Sequence, residues 1–128
     1  LDLKKIDKLK NVSFLQCDFL ETKTKKKILE FFGRKIDVVV SDMAANTTGN
    51  KSLDCIRTNL LCSEVLNFSS TMLNSNGVLV SKLFMGEDFL EVKELAKSKF
   101  KNVHFFKPEA SRDESKETYL YCKGLKTL

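Results

Sequence analysis

The alternation of strand and helix patterns along the chain is the feature that most limits its fold. Apolar and β-branched runs predict strands over 11–16, 35–42, 78–84, 102–106 and 117–123. Apolar residues at helical spacing predict helices over 22–32, 52–73 and 87–98, with Gly33 as the stop of the first. This order is typical of an α/β sheet whose parallel strands are joined by helical crossovers.

The last two strands differ from the others, because the polar loop 107–116 joins them and Pro108 disfavours a helix there. A short connection without a helix favours antiparallel pairing. The sequence therefore predicts an α/β fold with a mostly parallel sheet and an antiparallel last strand. The chain of 128 residues suits one domain, spanning 1–128.

The valine strand ends in a carboxylate. The run Val38–Val40 predicts a strand buried on both faces, and Asp42 follows where the chain opens into small polar residues. Ligands bind at the carboxyl ends of strands in open α/β sheets. Asp42 is therefore a candidate site residue. A solvated acid at a strand end explains it equally well.

Three other charged residues lie within or at the ends of predicted strands. Lys82 interrupts an otherwise apolar strand, which is costly unless it reaches solvent from a sheet edge. Glu117 begins the last strand, and Asp18 follows the strand 11–16, where it could instead cap the next helix. If these strand ends meet, they form a carboxylate–lysine–carboxylate site.

Composition removes several other classes of protein. No apolar run approaches the roughly 18 residues of a membrane span. The four cysteines form no CxxC pair and His104 is the sole histidine, so we expect no metal site and reduced, mostly buried thiols in a cytosolic protein. The net charge of +5 modestly favours a polyanionic partner.

Four segments in order carry a family resemblance: "SDMAANTTG", "DCIRTNLLCSEVLNF", "NGVLVSKLF" and "FKPEASRDESKETYLYCKG". Together they resemble the FtsJ/RrmJ family, S-adenosylmethionine-dependent ribose 2′-O-methyltransferases of large-subunit ribosomal RNA. The resemblance covers essentially the whole chain. It implies a Rossmann-like S-adenosylmethionine-dependent methyltransferase fold, a uridine as the expected target, and no need for a metal.

The resemblance also assigns roles to the candidate residues. Asp2 would bind the ribose hydroxyls of the methyl donor and Asp18 its adenine. Asp42 would lie near the donor methionine and the reacting methyl group. Lys82 would act as the general base toward the ribose 2′-hydroxyl, and Glu117 would hold that lysine and the substrate in place.

The resemblance implies an RNA partner, the large-subunit ribosomal RNA or the subunit itself. Lys107, Arg112 and Lys116 flank the expected active edge and would contact phosphates. No aromatic-rich stacking motif is visible in the sequence. We expect a monomer, with no membrane association, in a bacterial cytoplasm or in a mitochondrial or other organelle matrix.

The chain also departs from the family pattern. The glycine-rich first motif and the first lysine of the family's Lys-Asp-Lys-Glu tetrad are absent from 1–128, so we expect an N-terminally truncated domain that can be inactive alone. The missing strand would lie between those ending at Asp2 and Asp42. Ala45 stands where the family usually has proline, which predicts a looser loop.

Two other functions stay open at this point. The first is a catalytically dead fragment or RNA-binding module that keeps a methyltransferase fold. The second is a different α/β enzyme, such as a nucleotide-binding dehydrogenase.

Overall fold

A computed structural model describes residues 1–46, 48–107 and 116–126. Its helices and strands, in chain order, are α1 (Thr22–Phe32), β1 (Ile36–Ser41), α2 (Lys51–Met72), β2 (Leu73–Phe84), α3 (Phe89–Lys99), β3 (Phe100–Phe106) and β4 (Glu117–Leu125). The chain divides into two compact units, Leu1–Arg34 and Lys35–Leu128, called here the N-terminal and C-terminal units. Most elements agree with the sequence prediction in type and approximate range.

The N-terminal unit contains α1, which ends at Gly33 as the sequence predicts. Gly33 has a left-handed backbone (φ 61°), and its N–H donates to the Leu29 carbonyl at 2.9 Å. The buried side chain of this helix is Thr24, whose hydroxyl donates to the Asp18 carbonyl at 2.7 Å. The apolar side chains near the end of α1, such as Phe31, are exposed.

The prediction of a strand over 11–16 is wrong. The structure has a single parallel bridge there, between Asp2 and Gln16. Two hydrogen bonds make it, from Asp2 N to Leu15 O at 3.3 Å and from Cys17 N to Asp2 O at 3.1 Å. Asn11 begins the segment with a positive φ of 61°, which interrupts an extended run. The pairing is therefore too short to form a ladder.

The C-terminal unit is built on a four-stranded sheet with the order β1-β2-β4-β3. β1 and β2 are parallel, and β4 is antiparallel to both β2 and β3. Three strands thus run in one direction and β4 runs in the other, which confirms the predicted fold class. The antiparallel strand is inserted between β2 and β3, so it does not form an edge.

Both helices of this unit cover one face of the sheet. Cys62 of α2 contacts Ser81 of β2, and the Phe89 ring of α3 packs on Phe105 of β3 with centroids 4.7 Å apart. The strand side chains at the centre of this covered face, including Leu79, Leu83 and Leu120, are fully buried. This layer is the core of the unit.

The opposite face of the sheet is called here the open face. It carries Val38, Val40, Val78, Val80, Lys82, His104, Phe106, Tyr119 and Tyr121, which alternate with the covered residues along each strand. Val40 is 69% exposed, so the prediction that the valine strand is buried on both faces is wrong. Among the described residues, β1 is an edge strand with helix packing on one side.

The apolar residues whose spacing predicts α2 are buried in only half of the helix. Its second half buries Val65, Phe68 and Met72 as expected, whereas Leu53, Ile56 and Leu60 in the first half are exposed. The first half instead buries polar side chains, among them Thr58 and Asn59. These side chains bond to backbone groups in the loop after β1 and at the end of β2, which fixes the rotation of the helix.

Residues 74–77, whose Asn-Ser-Asn-Gly sequence is typical of a turn, lie inside β2. α2 passes directly into this strand, and the pairing register with β1 shifts between Ile36 and Val38. A Cβ on Gly77 would lie 3.0 Å from both the Leu73 Cβ and the Asn74 carbonyl oxygen. Glycine is therefore required at position 77, because a side chain there would crowd Leu73 and Asn74.

Most of the cysteines are buried, as the sequence predicts. Cys55, Cys62 and Cys122 are buried, Cys17 is half-buried, and all four are free thiols. Burial raises the pKa of Cys62 to about 11. It raises the pKa of Cys122 to about 12, with a smaller contribution from neighbouring Cys62.

Candidate active site

One row of side chains crosses the open face at the carboxyl ends of β1 and β2. Ser41 pairs with Ser81, which places Asp42 beside Lys82. Lys82 pairs with Tyr119 of β4, and Tyr119 pairs with Phe106 of β3. The sheet register therefore aligns residues from four strands.

Lys82 lies between two carboxylates. Its Nζ is 3.2 Å from Asp42 Oδ1 and 3.6 Å from Glu117 Oε2. The Lys82 side chain is 14% exposed, and β2 is an interior strand, so the explanation as a solvent-reaching edge lysine fails. The structure thus brings together three of the residues that the sequence singled out, Asp42, Lys82 and Glu117.

Tyr119 completes this cluster, and the sequence analysis missed it. Its hydroxyl donates to Asp42 Oδ1 at 2.6 Å and lies 3.4 Å from Glu117 Oε1. The hydrogen bond to Asp42, together with burial, raises the pKa of Tyr119. The signal was present, because the alternation of strand residues puts Tyr119 on the same face as Glu117.

Asp42 has its pKa lowered from the ordinary value. The largest cause is the hydrogen bond from Tyr119, followed among the lowering effects by the hydrogen bond and charge of Lys82, while burial acts in the opposite direction. The carboxylate is 68% exposed. Asp42 therefore stays charged and faces solvent, while the lysine beneath it is shielded.

Asn59 supports this row from the covered face. Its amide donates to the Phe84 carbonyl at 2.9 Å and to Asp88 Oδ1 at 2.8 Å, and its carbonyl accepts from Phe84 N at 2.8 Å. Asn59 is 1% exposed. It ties α2 to the end of the strand that carries Lys82 and to the start of α3.

The loop after β1 is anchored at Ala45. The Ala45 N–H donates to Thr58 Oγ1 of α2 at 3.1 Å. Proline lacks this donor. Alanine at this position therefore supplies a contact with α2 that proline would remove.

Asp2 and Asp18 lie in the N-terminal unit. Asp2 forms the parallel bridge with Gln16, and Asp18 lies two residues after Gln16. Asp2 Oδ1 accepts from Lys4 N at 3.1 Å. Asp18 Oδ1 accepts from Leu20 N at 2.9 Å, in the turn before α1. Asp18 therefore does not cap α1, whose N-cap residue is Glu21; one oxygen of its carboxylate is engaged in the preceding turn.

Of the three residues predicted to contact RNA, Lys107 directly follows β3 and Lys116 directly precedes β4. Lys107 and Lys116 are exposed, and Arg112 lies outside the described residues. Met85 N donates to the Lys116 carbonyl at 2.9 Å, which holds that residue beside the end of β2. Within the described part of the chain, no helix is long and apolar enough to cross a membrane, and no group of three potential metal ligands is found.

The fold matches a solved structure described as a ribosomal RNA methyltransferase from Plasmodium falciparum. The TM-score is 0.83 with 28% identity, over 97% of this chain and 69% of that one. The α/β sheet with its inserted antiparallel strand is thus that of a methyltransferase. The model of the FtsJ-like methyltransferase family matches residues 1–125, and the chain belongs to that family.

Two curated relatives are bacterial proteins named ribosomal RNA large subunit methyltransferase E. The Pelagibacter ubique protein is 46% identical over 126 residues, which cover 98% of this chain and 62% of that protein. The Rickettsia akari protein is 43% identical over 120 residues, which cover 94% of this chain and 53% of that protein. The chain thus spans somewhat more than half the length of these relatives.

Proposed function

We propose that the protein carrying this chain methylates the 2′-hydroxyl of a ribose, that of a uridine, in large-subunit ribosomal RNA, with S-adenosylmethionine as donor. The observation that carries the proposal is the position of Lys82 between Asp42 and Glu117, at the strand ends of a chain of the FtsJ-like methyltransferase family. The names of the curated relatives support the choice of RNA.

The donor fits the carboxylates that this chain provides. Hydroxyl and amino groups of a nucleoside are donors, and ionised carboxylates are acceptors with room for several hydrogen bonds. Asp2 would accept from the ribose hydroxyls and Asp18 from the adenine amino group. In each carboxylate one oxygen, Oδ1, is engaged in a local turn, so the donor would bind the second oxygen. Asp42 would face the methionine part. The bound donor supplies a methyl group already activated by a sulfonium.

Lys82 has the role of general base. A ribose hydroxyl becomes a useful nucleophile as its proton is taken up, and Lys82 Nζ in its neutral form accepts that proton. Asp42 and Glu117 then stabilise the resulting ammonium, because they lie 3.2 and 3.6 Å from the nitrogen. Tyr119 orients Asp42 through its short hydrogen bond. These residues supply positioning and proton transfer.

Lys107, Arg112 and Lys116 would contact the phosphates on either side of the target nucleotide. Phosphate contacts fix the orientation of RNA without reading its sequence. They would also make binding fall with increasing salt. The selection of RNA would then depend on the shape of the strand and on the 2′-hydroxyl itself.

The test is methyl transfer by the protein made from its entire coding sequence. Large ribosomal subunits from cells lacking the gene receive labelled methyl groups, and the modified nucleotide is identified after digestion. A 2′-O-methyl group blocks alkaline cleavage of the adjacent phosphodiester, which separates it from base methylation. We expect Lys82→Ala to lower kcat by about 10²–10⁴-fold, the usual effect of losing an acid–base group.

Lys97→Ala is the matched control, because Lys97 is an exposed lysine in the last turn of α3. It should leave the rate unchanged. Wild-type turnover by Lys82→Ala would refute the base assignment. Saturable binding of ribosomal RNA without any methyl transfer by the wild-type protein would favour the RNA-binding module instead.

A further inference from the structure

Phe106 is a large apolar side chain held in an exposed position beside the candidate active site. It ends β3 and is 44% exposed. Its ring lies nearly parallel to that of Tyr119, with centroids 5.8 Å apart and an interplanar angle of 23°. Its carbonyl accepts from Thr118 Oγ1 at 2.8 Å. The backbone of the aromatic pair is therefore held by the pairing of β3 with β4 and by this hydrogen bond.

The position of this pair relative to Lys82 follows from the sheet. Lys82, Tyr119 and Phe106 are successive partners on three neighbouring strands. Strands lie about 4.8 Å apart, so the Phe106 backbone is roughly 10 Å from that of Lys82. A nucleotide whose ribose reaches Lys82 would bring its own base, or that of its neighbour, over the aromatic pair.

The charges around the pair favour a base over a phosphate. Asp42 and Glu117 both lie next to Lys82 and to the Tyr119 hydroxyl, and they outnumber that lysine. Lys107 directly follows Phe106 and is exposed, and Lys116 directly precedes β4. Phosphates would be drawn to these outer lysines and repelled from the carboxylates. The uncharged aromatic surface between them suits the π-face of a base.

We propose that the Phe106–Tyr119 pair is a stacking platform for a nucleobase at or next to the methylated ribose. This inference rests on the proposed function, since it takes Lys82 as the place where the ribose binds. The pair is not visible as a motif in the sequence, because residues 107–118 separate its two members and the sheet register joins them.

The experiment measures RNA affinity of the protein made from its entire coding sequence. The probes are a short fluorescent oligouridylate and an abasic strand with the same number of phosphates. Phe106→Leu keeps an apolar side chain and removes the π-face, and Phe106→Tyr keeps the ring. Base stacking on an aromatic residue accounts for about five- to hundredfold in affinity, so Phe106→Leu should weaken oligouridylate binding by that factor.

Three comparisons make the result specific to stacking. Phe106→Tyr should bind oligouridylate as the wild type does, and Phe106→Leu should bind the abasic strand as the wild type does. The dependence of log Kd on log salt should be unchanged in Phe106→Leu, because no phosphate contact is lost. Phe31→Leu, at an exposed phenylalanine of α1, is the matched control and should change neither affinity.

Equal binding of oligouridylate by Phe106→Leu and the wild type would overturn the inference. An equal loss on both strands would also overturn it, as would a lowered melting temperature with unchanged affinity, which would mean that Phe106 is a packing residue. A base-dependent loss supports the platform whatever the methylation assay gives. Absence of methyl transfer by the wild type is a separate result that refutes the proposed function.

Discussion

Asn59 offers the sharpest test of how the candidate site is held in place. Replacing it with leucine keeps a similar volume and removes three hydrogen bonds, to Phe84 N, to Phe84 O and to the Asp88 carboxylate. Each neutral bond contributes about 1 kcal/mol net and the one to the carboxylate about 1.5–3 kcal/mol. We expect Asn59→Leu to lower the free energy of unfolding by about 3.5–5 kcal/mol.

Urea unfolding followed by circular dichroism measures this loss. The midpoint should fall while the slope m stays the same, since the surface exposed on unfolding is unchanged. Asn67→Leu is the matched control, because Asn67 is exposed on the same helix and such substitutions usually stay within about 0.5 kcal/mol. A loss below about 1 kcal/mol for Asn59→Leu would refute the assignment of Asn59 as the link between α2 and β2.

Two further predictions follow from the pKa shifts. Tyr119→Phe should raise the pKa of Asp42 toward its ordinary value, because the Tyr119 hydrogen bond is the largest cause of the lowering; carboxyl NMR titration measures it. The lowered pKa makes charged Asp42 stabilise the fold above its unfolded-state pKa, and this stabilisation is lost as pH falls through the folded-state pKa. With pKa values raised to about 11 and 12, Cys62 and Cys122 should react with iodoacetamide at pH 8 more slowly than half-buried Cys17, as mass spectrometry would record.

Each of these predictions has a result that contradicts it. An unchanged Asp42 titration in Tyr119→Phe would mean that Lys82 alone sets the charge of that carboxylate. Modification of Cys62 as early as Cys17 in the folded protein would mean that α2 opens away from the sheet.

The elements of the C-terminal unit could be predicted because each depends on local pattern. The alternation in β2 and β4 and the spacing in α3 are visible in single segments. The burial of β1 could not be predicted in this way, because a run of valines looks the same in an edge strand as in a central one. Its exposed face depends on which elements pack there.

The candidate site was predictable in part for a similar reason. Lys82 is conspicuous, since a charge in an apolar strand is rare and costly. Asn59 and Phe106 are ordinary residues in their own segments. Asn59 matters because the end of β2 meets α2 beside it, and Phe106 because β4 lies between β2 and β3. Such relationships arise from strand order, which local pattern does not specify.

The insertion of β4 between β2 and β3 also affects the order in which the protein can fold during its synthesis. β2 and β3 are both made before the strand that joins them, and Lys82 meets Glu117 and Tyr119 only when β4 enters the gap. During synthesis earlier segments emerge first, so the helices can form before β4 is made. The pairing of β2 and β3 through β4 is delayed until then. Assembly of the candidate site and closure of the sheet are then a single late event, because a nascent chain that ends before residue 119 lacks Tyr119.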